Sequence, residues 1–389
     1  MQEPGSTYQP TQAMPTRPGW VEVNLDAFSY NLRGVRKRVG FGVKIMAVVK
    51  ANAYGHGSVE IAREALAGEA DCLAVAFPEE AIALRDAGLS AETLVFTSPM
   101  WEQMPLYFDY KLIPAVASID VAARLEEEAQ KRNLRCPVHV KVDTGMGRLG
   151  FEWNSAADSI VTIARMPHLE ITGVFSHFAA ADEADKSFSE NQLQRFGHVL
   201  DALGKLRIEV QDVHMAGSAG ILDLPESYFT MVRPGIMLYG YYPSQETTES
   251  VPLRPVMSIK SRVVFAKRVA EATSISYGRR YYTTREVLIA TIPVGYADGL
   301  SRRLTNRASV LIGGRRYPVV GTIAMDHVMV DVGDDHVAVG DEVVFIGTQG
   351  GNQITAWDVA RLIDTIPYEI TCSVSPRVPR VFVRDSRPD

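Results

Sequence analysis

The chain has 389 residues, 46% hydrophobic and 22% charged, and this composition excludes a generally disordered or fibrous protein. Its 40 basic and 46 acidic residues give a net charge of −6, so no basic surplus points to nucleic acid or an anionic membrane. No apolar stretch approaches the roughly 18 residues of a membrane-spanning helix. Cys72, Cys136 and Cys372 are widely spaced, which predicts reduced thiols, no metal site and a cytoplasmic location.

The first 18 residues are polar and rich in Pro, Gln and Thr. They lack the charged start and the apolar run of a secretory signal. We therefore expect a flexible extension over residues 1–18, to which the sequence assigns no role.

Eight short apolar runs alternate with helical patterns in the first half of the chain. They are Lys44–Val49, Cys72–Phe77, Thr93–Thr97, Ile113–Ser118, Val138–Asp143, Thr172–Ser176, Val213–Ala216 and Thr230–Arg233. Because runs that are apolar throughout indicate strands buried on both faces, we expect a parallel sheet. Eight strand–helix units in about 200 residues favour a TIM-type (β/α)8 barrel over residues 19–250. A doubly wound open sheet is the alternative.

The pattern changes after Tyr241, where several prolines mark a junction. Apolar residues then recur every second position, first at Ser258–Val269 and Glu286–Ile292 and later at Ser309–Ile312, His327–Val332 and Glu342–Ile346. Gly313 and Gly314 separate two such segments as a hairpin turn would. Residues 251–389 are thus predicted to form a second domain of mostly antiparallel strands.

Polar residues close the barrel strands, where the active sites of such barrels lie. Lys50 ends the first run, and burial of a lysine lowers its pKa, which suits an amine that forms a Schiff base. A lysine that merely extends to solvent at the barrel rim is the alternative. The glycine- and serine-rich ends of runs seven and eight fall where barrels commonly bind phosphate, so a phosphate-bearing cofactor is plausible.

The segment VKANAYGHG at residues 49–57 resembles the pyridoxal-phosphate signature of the alanine racemases. Similar motifs follow in order at Lys141–Arg148, Ser176–Ala179, His214–Ala219 and Val232–Gly235. The predicted second domain adds SYG at 276–278, GYADG at 295–299, MD at 325–326 and RVPR at 377–380. The resemblance spans residues 21 to 380, and the motifs of the second domain are the more specific ones.

This resemblance implies a barrel followed by a β-rich domain, assembled as a homodimer whose active sites are shared across the interface. It implies a pyridoxal 5′-phosphate-dependent isomerase that interconverts L-alanine and D-alanine by a two-base mechanism on the cofactor imine. D-alanine would supply bacterial cell-wall peptidoglycan. Lys50 would bind the cofactor and act as the base for D-alanine, and Tyr277 of the partner subunit would act on L-alanine.

The resemblance also assigns the remaining site residues. Arg233 would face the pyridine nitrogen with His177 behind it, while Arg148 and the backbone amide of Met325 would bind the substrate carboxylate. The phosphate would contact four residues, namely Tyr54, Ser218, Gly235 and Ile236. Three residues would have supporting roles, namely Lys141, Tyr296 and Asp326. Lys141 matches a lysine that is carbamylated in some members of the family.

Two positions depart from the family pattern. Gly217 stands where an asparagine often precedes the serine, and Pro376 stands where many members have a tyrosine that lines the pocket. Loss of that tyrosine is expected to loosen the pocket, so a racemase of broader range, including serine, is one alternative. A non-catalytic pyridoxal-phosphate-binding barrel is another, although such proteins lack the second domain.

Overall fold

The computed structural model describes residues 8–10 and 15–385 of the chain. They divide into two compact units. The barrel unit comprises residues 28–53 and 58–254, and the β unit comprises the described residues up to Ala27, the short segment Tyr54–Gly57, and the chain from Pro255 onward. Among the described residues, no helix is long and apolar enough to cross a membrane.

The strands of the described residues are, in chain order, β1 (Tyr8–Pro10), β2 (Gly19–Asn24), β3 (Lys44–Val48), β4 (Cys72–Val75), β5 (Thr93–Val95), β6 (Ile113–Val116), β7 (Cys136–Asp143), β8 (Phe151–Glu152), β9 (Leu169–Phe175), β10 (Asp212–His214), β11 (Met231–Val232), β12 (Met257–Arg262), β13 (Phe265–Val269), β14 (Val287–Ile292), β15 (Ser309–Ile312), β16 (Arg315–Val320), β17 (Val328–Gly333), β18 (Glu342–Gln349), β19 (Asn352–Ile354) and β20 (Arg380–Asp385). The helical segments are α1 (Leu25–Val39), α2 (Lys50–Tyr54), α3 (Ser58–Ala67), α4 (Pro78–Asp86), α5 (Met104–Asp109), α6 (Ile119–Arg132), α7 (Ala156–Ala164), α8 (Ser187–Lys205), α9 (Ser218–Asp223), α10 (Ala356–Ile363) and α11 (Pro367–Cys372).

The barrel unit is built on a closed ring of parallel strands. Its order is β6-β5-β4-β3-β11-β10-β9-β7, and a pairing between β6 and β7 closes the ring. Every one of the eight predicted apolar runs overlaps one of these strands, which confirms the barrel and excludes the open sheet. β4, β5 and β6 are buried at every position, as expected of strands that pack against side chains on both faces.

The helices of the barrel unit are amphipathic, as α6 illustrates. The hydroxyl of Ser118 accepts a hydrogen bond from the backbone N–H of Val121 and thereby caps the first turn. Asn133 adopts a left-handed φ of 53° at the other end and stops the helix. Between these ends, Leu125 and Ala129 are buried in the core. Local capping and the apolar stripe therefore predict the same helix.

The β unit contains one large, mostly antiparallel sheet. Its strand order is β1-β20-β2-β12-β18-β15-β16-β17-β14-β13, with β19 paired to β18 and only β2 and β20 parallel along this path. Gly313 and Gly314, with φ of 56° and 76°, form the hairpin turn between β15 and β16 that the sequence predicts. The predicted strand Ser258–Val269 is divided into β12 and β13.

The start of the chain differs from the expected domain division. Gly19–Asn24, assigned to the barrel by sequence, pairs with β12 in the β unit, with Val23 opposite Met257. The physical reason lies in GWVEVN, whose buried Val21 and Val23 alternate with half-buried polar residues, as in a strand that has one polar face. Within the predicted extension 1–18, Tyr8–Pro10 pairs with β20, and residues 1–7 and 11–14 lie outside the described residues.

Candidate active site

Lys50 lies at the carboxyl end of β3, at the strand end expected for a barrel active site, and it is half-buried. The next four residues, Ala51–Tyr54, all have φ of 52–53°, so α2 is a left-handed turn. Such a turn costs roughly 1–2 kcal/mol per residue and needs support from its surroundings. The carboxylate of Glu80 accepts from the N–H of Ala51 at 2.5 Å, and the side chain of Asn52 accepts from the N–H of Ser58. These bonds fix the point from which the Lys50 side chain leaves the backbone.

The glycines that follow this turn are required by close packing inside the β unit. A Cβ on Gly55 would lie 2.1 Å from the carbonyl oxygen of Thr371, and one on Gly57 would lie 2.8 Å from the ring of Phe382. Both glycines also have positive φ, and the guanidinium of Arg380 donates to the carbonyl of Gly55 at 3.1 Å. Their presence is therefore explained by this packing and requires no ligand.

The most unusual group of the barrel unit is the buried guanidinium of Arg233, which is 4% exposed. It donates to Nδ1 of His214 at 2.7 Å and to Nδ1 of His177 at 3.0 Å, and to the carbonyl oxygens of Ser176 and Met215 at 2.8 and 2.9 Å. All four acceptors are uncharged, and among the described residues no carboxylate forms an ion pair with it. Burial lowers the pKa of Arg233 to about 9, so it remains a cation at neutral pH.

The two histidines beside Arg233 are held neutral. Burial, and next the positive charge of Arg233, lower the pKa of both His177 and His214 well below the ordinary value of 6.5. A neutral imidazole can accept at one nitrogen only, and here each uses Nδ1 as its acceptor. The result is a rigid cation whose local partners are neutral acceptors.

Ser218 lies where the loops after β10 and β11 meet. Its hydroxyl oxygen accepts from the backbone N–H of Gly235 at 3.0 Å and of Met237 at 3.3 Å. Ile236, between them, begins a short 3₁₀ turn. The sequence predicts a phosphate site at these two loops. The structure brings the Ser218 hydroxyl next to the backbone amides of Gly235 and Met237. A Cβ on the neighbouring Gly217 would come within 3.1 Å of the His177 ring.

Lys141 projects from β7 and is buried. Its Nζ donates to the carbonyl oxygen of Val142 at 2.6 Å and lies 5.6 Å from the centre of the Phe175 ring. Burial, reinforced by the charge of Arg233, lowers the pKa of Lys141 to about 7. A substantial share of this amine is therefore uncharged at neutral pH, and only the uncharged form is a nucleophile.

Arg148 lies in the loop that follows β7 and is exposed. The carboxylate of Asp143 organises this loop by accepting from the N–H groups of Gly145 and Gly147. These glycines have φ of 140° and 69°, which few other residues adopt. The loop is therefore defined by its backbone, while the guanidinium of Arg148 extends from it.

Tyr277 belongs to the β unit, where its side chain is 72% exposed. The backbone around it is tied to Thr322 in both directions, because the hydroxyl of Ser276 donates to the Thr322 carbonyl and the Thr322 hydroxyl donates to the Tyr277 carbonyl. Ser276 has a strained φ of 64°. The phenol ring thus projects from a backbone that is fixed on both sides.

The GYADG and MD motifs form one loop pair in the same unit. The N–H of Tyr296 donates to the carbonyl of Ala324, and that of Ala297 donates to the carbonyl of Met325. A Cβ on Gly295 would lie only 2.2 Å from the Met325 oxygen, so glycine is required there. The side chains of Met325 and Tyr296 are 52% and 42% exposed, and both residues belong to the predicted site, as Tyr277 does.

Arg377 links the two loops of this pair. It donates to Asp326 at 2.7 Å and to the buried carboxylate of Asp298 at 2.7 Å. Asp298 also accepts from the N–H of Gly295 and from Arg17. Hydrogen bonds from Arg377 and Gly295 hold the pKa of Asp298 below its ordinary value, although burial opposes this. Asp326 is therefore oriented by a charged contact.

Two sets of predicted residues thus emerge, one in each unit. The barrel unit brings together Arg233, His177, Ser218, Gly235 and Ile236, while the β unit brings together Tyr277, Tyr296, Met325 and Asp326. Tyr54 belongs to the β unit, where its ring lies 5.9 Å from that of Tyr368.

Sequence reasoning missed several polar residues that support these sets. They are His139, Thr322, Asp298 and Arg377. Three of them carry a signal that is visible in the sequence. His139 stands two positions before Lys141 in an apolar run, which places both on one face of the strand. Asp298 and Arg377 lie inside motifs that the sequence analysis had named.

The comparison with known proteins decides the family. Residues 23–243 match the family described as alanine racemase, N-terminal domain, and residues 256–382 match alanine racemase, C-terminal domain. The chain belongs to the alanine racemase family. An alanine racemase of Halothermothrix orenii is 45% identical over 94% of this chain and 97% of its own length, and alanine racemase 2 of Caldanaerobacter subterraneus is 43% identical over 94% and 95%.

Solved structures agree with this assignment to the alanine racemase family. The alanine racemase of Clostridium difficile 630 superposes with a TM-score of 0.93 at 36% identity, covering 96% of this chain and 98% of that one. A histidine racemase of Leuconostoc mesenteroides has a TM-score of 0.88 at 27% identity, covering 95% and 99%. The predicted family, fold class and racemase activity are confirmed, and neither the broader-range racemase nor the non-catalytic binding protein is favoured.

Proposed function

We propose that this alanine racemase uses pyridoxal 5′-phosphate and acts as a homodimer whose active sites are completed by residues of the partner subunit. The observation that carries the proposal is the buried, carboxylate-free guanidinium of Arg233 next to the Ser218–Gly235 loop pair. This cofactor uses a lysine for the Schiff base, donors for its phosphate and a partner for its pyridine nitrogen, and a guanidinium can be that partner. In this proposal the D-alanine product supplies cell-wall peptidoglycan, and the buried thiols Cys72 and Cys136 are consistent with a cytoplasmic location.

The donor chemistry of the barrel unit fits the cofactor. Ser218 offers a hydroxyl and Gly235 and Ile236 offer backbone amides, all of which suit a phosphate. Tyr54 would add a phenol to this set, and Lys50 would bind the cofactor covalently. Arg233 would donate to the pyridine nitrogen, and His177 would support it from behind. When bound, the cofactor withdraws electrons from the substrate and makes its Cα proton acidic enough to remove.

An arginine in this position limits how far electrons are withdrawn. The guanidinium keeps its protons far more firmly than a carboxylic acid does, so the pyridine nitrogen would accept a hydrogen bond without gaining a proton. The four neutral acceptors around Arg233 keep it charged and fixed. Weaker withdrawal suits a reaction in which the proton must return to Cα quickly, with few side reactions.

Two bases would exchange the proton from opposite faces. We propose that Lys50 removes and returns the Cα proton of D-alanine, and that Tyr277 of the partner subunit does so for L-alanine. A tyrosine has an ordinary pKa near 10, so work as a base at neutral pH requires nearby positive charge or a hydrogen-bond chain. The doubly tied backbone around Tyr277 would keep its phenol oxygen in one place.

Substrate binding would use charged and backbone donors. Arg148 would bind the substrate carboxylate with its planar guanidinium, together with the backbone amide of Met325. Lys141 would orient Arg148, and an uncharged Lys141 amine is the form that reacts with carbon dioxide to give a carbamate. Tyr296 and Asp326 would support Met325 through the loop pair that Arg377 links.

The exposed rings of the β unit support the homodimer. Tyr277, Tyr282, Tyr296 and Met325 are all exposed although they are large and largely apolar. Exposed large apolar side chains are common at surfaces that bind another protein. In this proposal that protein is a second copy of the chain.

The test follows L-alanine in D2O with purified protein and added pyridoxal 5′-phosphate. Wild-type protein should produce D-alanine that carries deuterium at Cα. Lys50→Ala should abolish this product, and Tyr277→Phe should nearly abolish it. A yellow protein that forms no D-alanine would contradict the alanine activity, and a colourless inactive protein would contradict the cofactor assignment as well.

A further inference from the structure

A chain of hydrogen bonds continues from Arg233 into the barrel interior. Nδ1 of His214 accepts from Arg233 at 2.7 Å, and Nε2 of His214 lies 2.9 Å from Nδ1 of His139. His139 is only 1% exposed and lies in the middle of β7. Nothing in the proposed function uses His139 or explains why a polar ring should stand in that apolar strand.

The strand register shows that this contact depends on a missing side chain. β9 lies between β7 and β10, and its Gly173 is opposite both His139 and Asp212. A Cβ on Gly173 would lie only 2.5 Å from Nδ1 of His139. The His139 ring therefore lies over Gly173 and reaches His214 on the strand beyond it.

Phe175, the next residue of β9 on the same face as Gly173, contacts His214, the middle member of the Arg233–His214–His139 series. Phe175 stacks on His214 with ring centres 4.9 Å apart and planes inclined by 3°. The guanidinium of Arg233 lies 5.5 Å from the centre of the same Phe175 ring. Stacking holds the plane of His214, but it does not determine which nitrogen of His214 carries the proton.

His139 can stabilise the form of His214 in which Nε2 carries the proton. Burial, with the charges of Arg233 and Lys44, lowers the pKa of His139 to about 3, so both rings of the pair are neutral. A neutral His214 must present a bare Nδ1 to the Arg233 donor, so its proton is on Nε2. That N–H needs an acceptor, and Nδ1 of His139 is at the right distance.

We propose that His139 is a positioning residue of the racemase, which fixes the Nε2–H form of His214 and thereby holds Arg233 in the orientation required at the cofactor ring. Gly173 is the companion residue that makes room for it. The inference rests on the proposed function for the role of Arg233, but the state of His214 is a property of the chain itself.

The test compares three variants of the full chain. His139→Leu removes the acceptor, whereas His139→Asn can return an oxygen near the position of Nδ1. Val138→Ala, on the same strand and also buried, is the packing control. Nitrogen NMR of labelled histidines in the cofactor-free protein shows which nitrogen of His214 carries the proton. Titration with pyridoxal 5′-phosphate then measures cofactor affinity, and steady-state kinetics with alanine measure kcat and KM.

We expect wild-type His214 to show a single Nε2–H form. In His139→Leu this N–H has no acceptor, so we expect a share of the Nδ1–H form, in which the hydrogen bond from Arg233 is lost. Loss of one neutral hydrogen bond corresponds to a factor of roughly 2–12, so cofactor affinity and kcat should each fall about fivefold, with KM for alanine unchanged. His139→Asn should restore both to within about twofold. Gly173→Ala should lower cofactor affinity and kcat as much as His139→Leu does. The double variant should lose little more than either single variant.

Two results would overturn the inference. One is an unchanged His214 spectrum and unchanged affinity in His139→Leu. The other is an equal loss in His139→Leu, His139→Asn and Val138→Ala, which would assign His139 to packing alone. Should wild-type protein fail to racemise alanine, the proposed function fails, and the cofactor-free spectra would still decide whether His139 sets the form of His214.

Discussion

The two units prepare their functional groups in opposite ways. In the barrel unit, Arg233 and His214 are buried, His177 is half-buried, and Arg233 donates to both histidines, so their positions are fixed by the unit itself. In the β unit, the backbone around Tyr277 and Met325 is tightly held while the side chains are exposed. We therefore expect substitutions of the barrel residues to lower both stability and activity, and substitutions of the exposed residues to lower activity alone.

The largest expected effect comes from Tyr277→Phe, which removes one hydroxyl from an exposed ring. We expect alanine racemisation to fall by roughly 10²–10⁴-fold, the usual contribution of a general base. The free energy of unfolding should change by less than about 0.5 kcal/mol, because the side chain is 72% exposed. Chiral product analysis and urea unfolding measure the two quantities. Tyr282→Phe, another exposed ring of this unit, is the matched control and should retain activity.

A substitution in the barrel unit should behave differently. Arg233→Leu leaves two carbonyl oxygens and two histidine nitrogens without their donor. We expect the free energy of unfolding to fall by about 3 kcal/mol, since each buried unsatisfied acceptor costs about 1–3 kcal/mol and relaxation recovers part of this. Denaturant unfolding of the cofactor-free protein measures it. An Arg233→Leu protein as stable as wild type would contradict the expectation that the site residues of the barrel unit contribute to stability.

The buried histidines make the barrel unit sensitive to acid. The pKa of His139 is about 3 in the folded chain and about 6.5 when unfolded, so the unfolded state binds the extra proton between these values. Stability that is fully present above pH 6.5 is therefore lost as pH falls, by up to about 1.4 kcal/mol per pH unit for each such histidine. Urea unfolding from pH 7 to 5 measures this slope. In His139→Asn the number of protons taken up on unfolding should be smaller by up to one, so the slope should be shallower. An identical slope in that variant would contradict the assignment.

The smallest effect is expected at Arg377, which orients Asp326 without being buried itself. Arg377→Gln should raise KM for alanine about three- to tenfold through the Met325 loop, with kcat less affected. Unfolding free energy should fall by about 1 kcal/mol, because Asp298 keeps its contacts with Arg17 and Gly295. Steady-state kinetics separate the two parameters. A loss confined to kcat would argue against a role in substrate binding.

Sequence predicts the framework well for a physical reason. Strands such as β4, buried on both faces, produce continuous apolar runs, and paired glycines such as Gly313 and Gly314 fit few structures other than a tight turn. The sequence assigned β2 to the barrel, whereas it belongs to the β unit, because its partner β12 lies more than two hundred residues away. The strand ends carrying Lys50 and Arg233 were found because barrels gather polar groups there. The roles of these residues remain predictions.

Other features of the site depend on tertiary contacts that the sequence does not show. Ala51, Asn52 and Ala53 form a left-handed turn, although alanine is the strongest helix former and disfavours that region. The hydrogen bond from Ala51 to Glu80 supports this conformation, and it is a contact between residues 29 positions apart. His139 was overlooked because a lone histidine in an apolar run is uninformative until its neighbour His214 is known.

The segment that follows Lys50 has a consequence for how the protein is made. Arg380 donates to the carbonyl of Gly55 from 325 positions further along the chain, and Thr371 and Phe382 pack on the same segment. At synthesis rates of about 5–20 residues per second, a ribosome needs roughly 16–65 s to cover that distance. Lys50 therefore leaves the ribosome well before the residues that complete its neighbouring turn, and a prematurely terminated chain would present this lysine on an unfinished loop.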